Sequence, residues 1–267
     1  MSNRVPKLIA TDIDGTMLRL DGTLSPRVRQ ALHDAADAGI HVVPATGRPE
    51  IVTTNVIEAL GLLGHWVFAN GAITRDLDRD ELVRGFWMHP SVAQGLVVEM
   101  REAFPSARFA IEMEDSLAYE AGFELIVPVP PPMPPTDDVL GAMVGRVQKV
   151  LVFDPGRSVD DLHRAAAAVL GDHGVASNSG LSFIEVSGRL VTKALALDAL
   201  CRDLEISPSE TAAFGDNNND IHMLAWAGRG YAMANGSDDA KDAADEVIRS
   251  SNDDGLAIKI EQFLALS

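Results

Sequence analysis

The chain has 267 residues, 46% of them hydrophobic, 23% charged and 5% aromatic, a composition that excludes a disordered polymer and fits a folded globular protein. Thirty-nine Asp and Glu face 22 Lys and Arg, a formal net charge of -17, so the basic stripe that nucleic acid or an anionic membrane surface requires is missing. A single cysteine, Cys201, cannot close an internal disulfide, and no Cys/His spacing suits zinc; with no signal-like stretch and no apolar run of about 18 residues, a cytoplasmic location is expected.

Lys7 to Asp12 (KLIATD) reads as a short buried strand. Ser25-Pro26 then gives an N-cap with proline in the first turn, and the helix it opens runs to Gly39. His41 to Thr46 is a second strand, Arg48 to about Gly61 a second helix, and His65 to Ala69 a third strand. Such alternation predicts a parallel sheet with helices on both faces. Past residue 80 the pattern changes: a strand over Glu81 to His89, a helix over Ser91 to Phe104 and a strand over Arg108 to Met113. Pro128 to Pro135 (PVPPPMPP) reads as a stiff polyproline loop. Strand Val147 to Phe153, helix Ser158 to Leu170 and strands near Val175 and Phe183 complete the middle block. From Thr192 the first pattern resumes. Helix Thr192 to Leu204 is followed by strand Thr211 to Phe214, helix Asn219 to Ala227, strands Gly230 to Met233 and Glu246 to Ile248, and a last helix from about Asp253. The expected class is α/β: a Rossmann-like, doubly wound parallel sheet core over residues 1–80 and 185–267, split by an inserted α+β domain over 81–184.

Asp12-Ile13-Asp14-Gly15-Thr16 stands where the first strand ends, and open parallel sheets bind ligands outside the carboxyl ends of their strands. Strand periodicity projects Asp12 and Asp14 to one side and sends Ile13 inward. Two carboxylates so close repel, so one is protonated or a cation lies between them. Asp14-Gly15 reads equally as turn chemistry that ends a strand. Thr46-Gly47-Arg48 alone is no more than a threonine before a helix. Asp216 to Asp220, in GDNNND, exceeds what one helix cap needs and offers hard oxygen ligands of the kind Mg²⁺ takes. Lys193 near a helix start opposes the dipole unless an anion compensates. Together these four segments supply a nucleophile, an acid/base, donors to phosphoryl oxygens and a cation-binding set, which is the inventory for phosphoryl transfer.

On DIDGTML (Asp12 to Leu18), TGR (Thr46 to Arg48), Asn70-Gly71-Ala72, Lys193, GDNNND (Gly215 to Asp220) and the tail Gly228 to Gly255, the chain resembles the haloacid dehalogenase-like (HAD) superfamily. More narrowly it resembles the Cof-type phosphatases with a type IIB cap. It departs in detail, with GDNNND for the commoner GDSxND and Ala194 where glycine often follows the lysine. The resemblance implies Asp12 as the nucleophile that forms an aspartyl-phosphate, and Asp14 as the acid and then base. It implies Thr46, Gly47, Lys193 and Asn219 around the phosphoryl group, Asn219 against either that group or Lys193, with Arg48 reaching the phosphate or cap or simply lying at the surface. Mg²⁺ is implied on Asp12, the Asp14 backbone carbonyl and Asp216, with Asp220 ordering the metal's surroundings.

The implied partner is a small phosphorylated metabolite, with neither nucleic acid nor membrane; oligomeric state is not readable. A phosphomutase would share the core chemistry. A phosphoaspartate receiver places its acceptor later in the sheet and is about half this length, and a regulatory binding protein with a vestigial site does not need all the acids kept. In the middle block Arg108, Glu112, Tyr119 and Lys149 are the polar candidates for setting specificity, while Met100, Met113, Met133 and Met143 read either as the lining of a cap pocket or, the plainer reading, as core filling. Cys201, on a face with Leu197 and Leu204, reads as a core thiol, and His222 has no second ligand or base.

Overall fold

The computed structural model describes residues 5–114, 116–123, 135–189 and 191–266. Two compact units emerge: Met1–Gly47, Thr54–Arg84 and Thr192–Ser267 form the first, and Arg48–Thr53 with Gly85–Val191 the second. The chain begins with β1 (Leu8–Thr11), α1 (Pro26–Asp37), β2 (His41–Pro44), α2 (Thr54–Leu60), β3 (His65–Phe68), β4 (Ile73–Asp76) and β5 (Glu81–Gly85). It continues with α3 (Pro90–Ala103), β6 (Arg108–Met113), β7 (Leu117–Tyr119), α4 (Val139–Ala142), β8 (Val147–Phe153), α5 (Val159–Leu170), β9 (Gly174–Ser177) and β10 (Ile184–Gly188). It ends with α6 (Lys193–Asp203), β11 (Thr211–Gly215), α7 (Ile221–Trp226), β12 (Arg229–Met233), α8 (Asp238–Ala243), β13 (Glu246–Ile248) and α9 (Gly255–Leu264).

The first unit is built on a parallel sheet in the order β13-β12-β11-β1-β2. Leu8 of β1 pairs with Thr211 on one side and His41 on the other. All four residues of β1 are buried, as a strand flanked on both faces must be. Leu8, Ala10, Val43, Leu197, Leu200, Cys201, Met223 and Leu224 share one core cluster, so Cys201 is the core thiol its spacing predicts. Helix starts follow local chemistry: Ser25 accepts from the amides of Arg27 and Val28, and Thr192 from that of Leu195, satisfying donors that the first turn leaves open. A smaller sheet, β3-β4-β5, adjoins through a parallel bridge between Ala45 and Val67.

The second unit carries an antiparallel sheet, β7-β6-β8-β10-β9. One face packs Phe109, Ile111, Val150, Val152, Ile184 and Val186 with Met100, Met113, Met143 and Leu162. The other sets Ala110, Leu151, Phe123 and Phe183 together. Buried in this unit, Lys149 Nζ lies 3.0 Å from Glu112 and 2.5 Å from Glu185. Burial raises the Glu112 carboxyl above its ordinary range, though Lys149 opposes the rise. Arg108 is exposed and donates to the carbonyls of Ser106 and Ala107, and Tyr119 is half-buried. Met133 and all but Pro135 of the expected polyproline loop lie outside the described residues.

Several expectations need correction. β4, β7, α4 and α8 were not expected, because three- to six-residue elements carry too little periodicity to read. The helix expected from Arg48 does not start there: Pro49 disfavours helical geometry at the preceding residue, a 3₁₀ turn spans Glu50–Val52, and α2 begins at Thr54. Likewise Asn218–Asp220 form a 3₁₀ turn before α7, and the strand from Glu81 stops at Gly85, leaving Met88 in an isolated bridge with Val147. Among the described residues no helix is long and apolar enough to cross a membrane.

Candidate active site

β1 stops at Thr11, and the strand periodicity used above ends with it. Asp12 is buried and Asp14 is exposed, so strand parity does not set their relation, although the Asp14 charge still acts on Asp12 and Asp216. Asp14 (φ -79°, ψ 120°) and Gly15 (φ 75°, ψ 0°) instead have the angles of the two corners of a type II turn. Ile13 does point inward and is fully buried. Glycine is required at the second corner for its positive φ, and also for space, because a Cβ there would lie 2.4 Å from Asp216 Oδ2. The sharp turn therefore brings the first strand end against the end of β11.

Lys193 is the centre of the cluster. Its ammonium is fully buried and donates to Asp12 Oδ1 at 2.5 Å and Asp220 Oδ1 at 2.7 Å. The lysine reaches this position because α6 starts hard against the turn after β3: a Cβ on Gly71 (φ 103°) would lie 2.3 Å from the Thr192 carbonyl oxygen. Asp220 is held on its other side, where Oδ2 accepts from the amides of Asp216 and Asn217, both at 3.0 Å. Asp216 accepts from the Thr16 hydroxyl at 3.2 Å, and its carbonyl from the Ser237 amide at 2.8 Å. Thr46 is buried beyond β2, its amide on the Val67 carbonyl and its carbonyl accepting from Asn70. Asn70 sits at φ 56° and accepts from Asn219 Nδ2 at 3.1 Å. The Asn219 amide nitrogen is thus engaged with Asn70. Gly47 ends the first segment of the first unit, and Arg48 opens a short segment of the second unit. Thr16, Asn70 and Ser237 lie inside the motifs that carry the resemblance, but the sequence reading gives none of them a role of its own; Ser237 also caps α8.

The charges explain each other. Burial pushes the Asp12 carboxyl well above its ordinary range, with Lys193 opposing and Asp220, Asp216 and Asp14 adding to the rise. Burial, then Asp220, pushes Asp216 up to about 7, against Lys193 and the Thr16 hydrogen bond. Lys193 is raised: burial opposes its charge, but Asp12 and Asp220 outweigh that penalty. Three buried carboxylates against one ammonium lack a positive charge. Asp12, Asp216 and Asp220 each offer a carboxylate oxygen, and these atoms lie within 4.8 Å of one another. Hard, crowded oxygen donors of this kind fit a small divalent cation. Asp220 already uses Oδ1 on Lys193 and Oδ2 on two amides, so Asp12 and Asp216 are the better direct ligands.

A pH dependence follows. A carboxyl whose folded-state pKa is raised binds its proton more tightly folded than unfolded, so the stability it contributes at low pH is lost as pH rises. For Asp216 the window runs from near the ordinary aspartate value of 3.8 to about 7. Metal-free protein is therefore expected to melt at a lower temperature at pH 8 than at pH 5.5, and Asp216→Asn to reduce the difference. Calorimetry in EDTA reads this, and a melting temperature that rises with pH contradicts it.

The profile of the haloacid dehalogenase-like hydrolases matches residues 9–260. A putative phosphatase, YxeH of Bacillus subtilis (strain 168), is 28% identical over 97% of this chain and 98% of its own length. From the same organism, the 5-amino-6-(5-phospho-D-ribitylamino)uracil phosphatase YcsE is 26% identical over 97% and 96%. The crystal structure of SMU.1108c from Streptococcus mutans UA159 superimposes with a TM-score of 0.85 at 24% identity, covering 97% of this chain and 99% of that one. The HAD subclass IIB sugar phosphatase BT4131 does so with a TM-score of 0.82 at 22% identity, covering 96% and 98%. The two solved structures share the fold, and the match across residues 9–260 places the chain in the haloacid dehalogenase-like hydrolase family, in the Cof-type branch that its motifs resemble.

Proposed function

We propose that this hydrolase is a Mg²⁺-dependent phosphatase acting on a small phosphorylated metabolite, a sugar phosphate or similar, through an aspartyl-phosphate on Asp12. The observation that carries the reading is the fully buried Lys193 ammonium held between Asp12 and Asp220, with Asp216 beside them. In it, the Asp12 carboxylate attacks phosphorus and the ester oxygen leaves with a proton from Asp14. Asp14 then takes a proton from the water that attacks the phosphoenzyme, so that inorganic phosphate leaves and both aspartates return to their starting forms. Lys193 and the Thr46 hydroxyl donate to phosphoryl oxygens, where charge develops. A divalent cation held by Asp12, Asp216 and the Asp14 carbonyl offsets the negative charge of carboxylates and phosphate. The inserted block, read from the sequence as 81–184 between core segments 1–80 and 185–267, serves in this proposal as the family's cap, and substrate choice rests with it.

Phosphate release from p-nitrophenyl phosphate tests the reading. EDTA is expected to abolish release and Mg²⁺ to restore it, with cation binding also read by calorimetry on the substrate-free protein. Turnover that persists in the chelator would remove the metal from the proposal.

A further inference from the structure

A second residue class supports the turn that carries Asp14. That turn is fastened from two sides. On one, the Thr16 hydroxyl donates to Asp216. On the other, Asn235 Nδ2 donates to the Gly15 carbonyl at 2.8 Å while Asn235 Oδ1 accepts from the Ser251 amide at 2.8 Å. One side chain thus bridges the catalytic turn and the 3₁₀ turn Ser251–Asp253 ahead of α9, satisfying a carbonyl of the first and the leading amide of the second. Asn235 itself is fixed at the exit of β12, two residues before the Ser237 amide that holds the Asp216 carbonyl. Asp14 is exposed at the first corner of the turn, so the backbone of the turn bears on where its carboxyl lies, and the Gly15–Thr16 peptide of that backbone is the part that Asn235 grips.

From this geometry we propose that Asn235 is a positioning residue for the acid/base step, acting through the Gly15 carbonyl to hold Asp14 in line with the ester oxygen. The inference rests on the assignment of Asp14 as the acid. Asn235 touches neither Lys193 nor the three clustered carboxylates in any described hydrogen bond; because the turn it grips also carries the Asp14 carbonyl, the dependence on leaving group is what separates the acid step from cation binding. A carboxyl that donates a proton matters most when the leaving oxygen is basic, and hardly at all when the leaving group departs unaided.

The test compares kcat/KM for phenyl phosphate and 2,4-dinitrophenyl phosphate in the Mg²⁺-loaded wild type, Asn235→Ala, Asn235→Asp and Asp14→Asn. Asn235→Asp keeps the acceptor for the Ser251 amide and loses the donor to Gly15. Both Asn235 variants are expected to slow phenyl phosphate on the order of tenfold more than the dinitrophenyl ester, since misaiming a catalytic group by about an ångström costs rate on this scale. Asp14→Asn is expected to shift the ratio in the same direction and further. Because each ratio is measured within one preparation, a reduced folded fraction cannot produce it. If Asp14→Asn shifts the ratio and the Asn235 variants slow both esters equally, Asn235 is only structural and the inference fails alone. If Asp14→Asn leaves the ratio at its wild-type value, the acid assignment fails and takes the inference with it.

Discussion

Asp12→Asn is expected to lose turnover on p-nitrophenyl phosphate by on the order of 10⁴ or more and yet to melt above wild type in EDTA at pH 8. The two effects have one cause. Asp12 lies buried with Asp216 and Asp220, whose oxygens are within 4.8 Å of its own, and burial holds its carboxyl well above the ordinary range. At pH 8 without a cation the folded state must either keep a proton there or hold three carboxylates on one ammonium. An amide removes that demand at almost unchanged volume. Its oxygen still accepts from Lys193, and its NH₂ has a carboxylate within reach. The gain is set at about 1 kcal/mol, which for a chain of this size moves Tm by roughly 2–4 °C. The amide is no nucleophile, so the same change that relieves the cluster stops the chemistry. Wild-type turnover would overturn the assignment of Asp12, and a lower Tm in EDTA would overturn the view that its charge destabilises the metal-free fold.

The opposite substitution in the same cluster has the larger effect on stability. Lys193→Met keeps the length of the side chain and removes the one ammonium that faces Asp12 and Asp220. Breaking a fully buried ion pair from one side leaves charge uncompensated and costs on the order of 3–5 kcal/mol. That cost is expected at pH 8 in EDTA and to shrink at pH 5. Lys193 is raised above its ordinary range and stays charged at both pH values, whereas Asp216, raised to about 7, takes up a proton between them. Urea unfolding at the two pH values reads the difference. An equal loss at both would show that Lys193 acts through packing and not through charge. Mg²⁺ at pH 8 is expected to recover part of the variant's stability without restoring turnover, since the donor to the phosphoryl oxygens is gone.

Much of this arrangement was legible in the residues. Strand–helix alternation and the position of three motifs at strand ends follow from local periodicity, and β1, β2, β11 and β12 fall where the apolar runs put them. Lys193 was readable only in company: a lysine at a helix start is ordinary until anions from two other segments meet it. Other features were closed to sequence reasoning for physical reasons. Strand parity pairs Asp12 with Asp14 only while the strand continues, and the type II turn at Gly15 breaks it. Asn219 carries amide chemistry that no spacing rule assigns to a partner, and its Nδ2 donates to the left-handed Asn70 from a distant segment. The part played by Asn235 depends on two backbone partners, Gly15 and Ser251, far from it in the chain, and no spacing rule announces such a bridge. The buried Glu112–Lys149–Glu185 group is spread over three strands, and pairing rather than pattern brings it together.

The pairing of Leu8 with Thr211 also constrains the order in which the molecule assembles. β1 is made first and β11 late, so the central sheet waits for a loop of some two hundred residues to close, and ordering such a loop slows folding. Residues 85–191 emerge in between, with all five strands of their own sheet. Met88 bridges Val147 near one end of this segment, and a Cβ on Gly188 near the other end would lie 3.2 Å from Met88 Cγ. The insertion therefore leaves the chain close to where it entered. Once it has folded, its length no longer counts in the closure entropy, which grows only with the logarithm of the flexible remainder. A block that interrupts the core in sequence thus becomes a short tether in kinetics, and delivers α6, with Lys193 at its first turn, to the waiting strand.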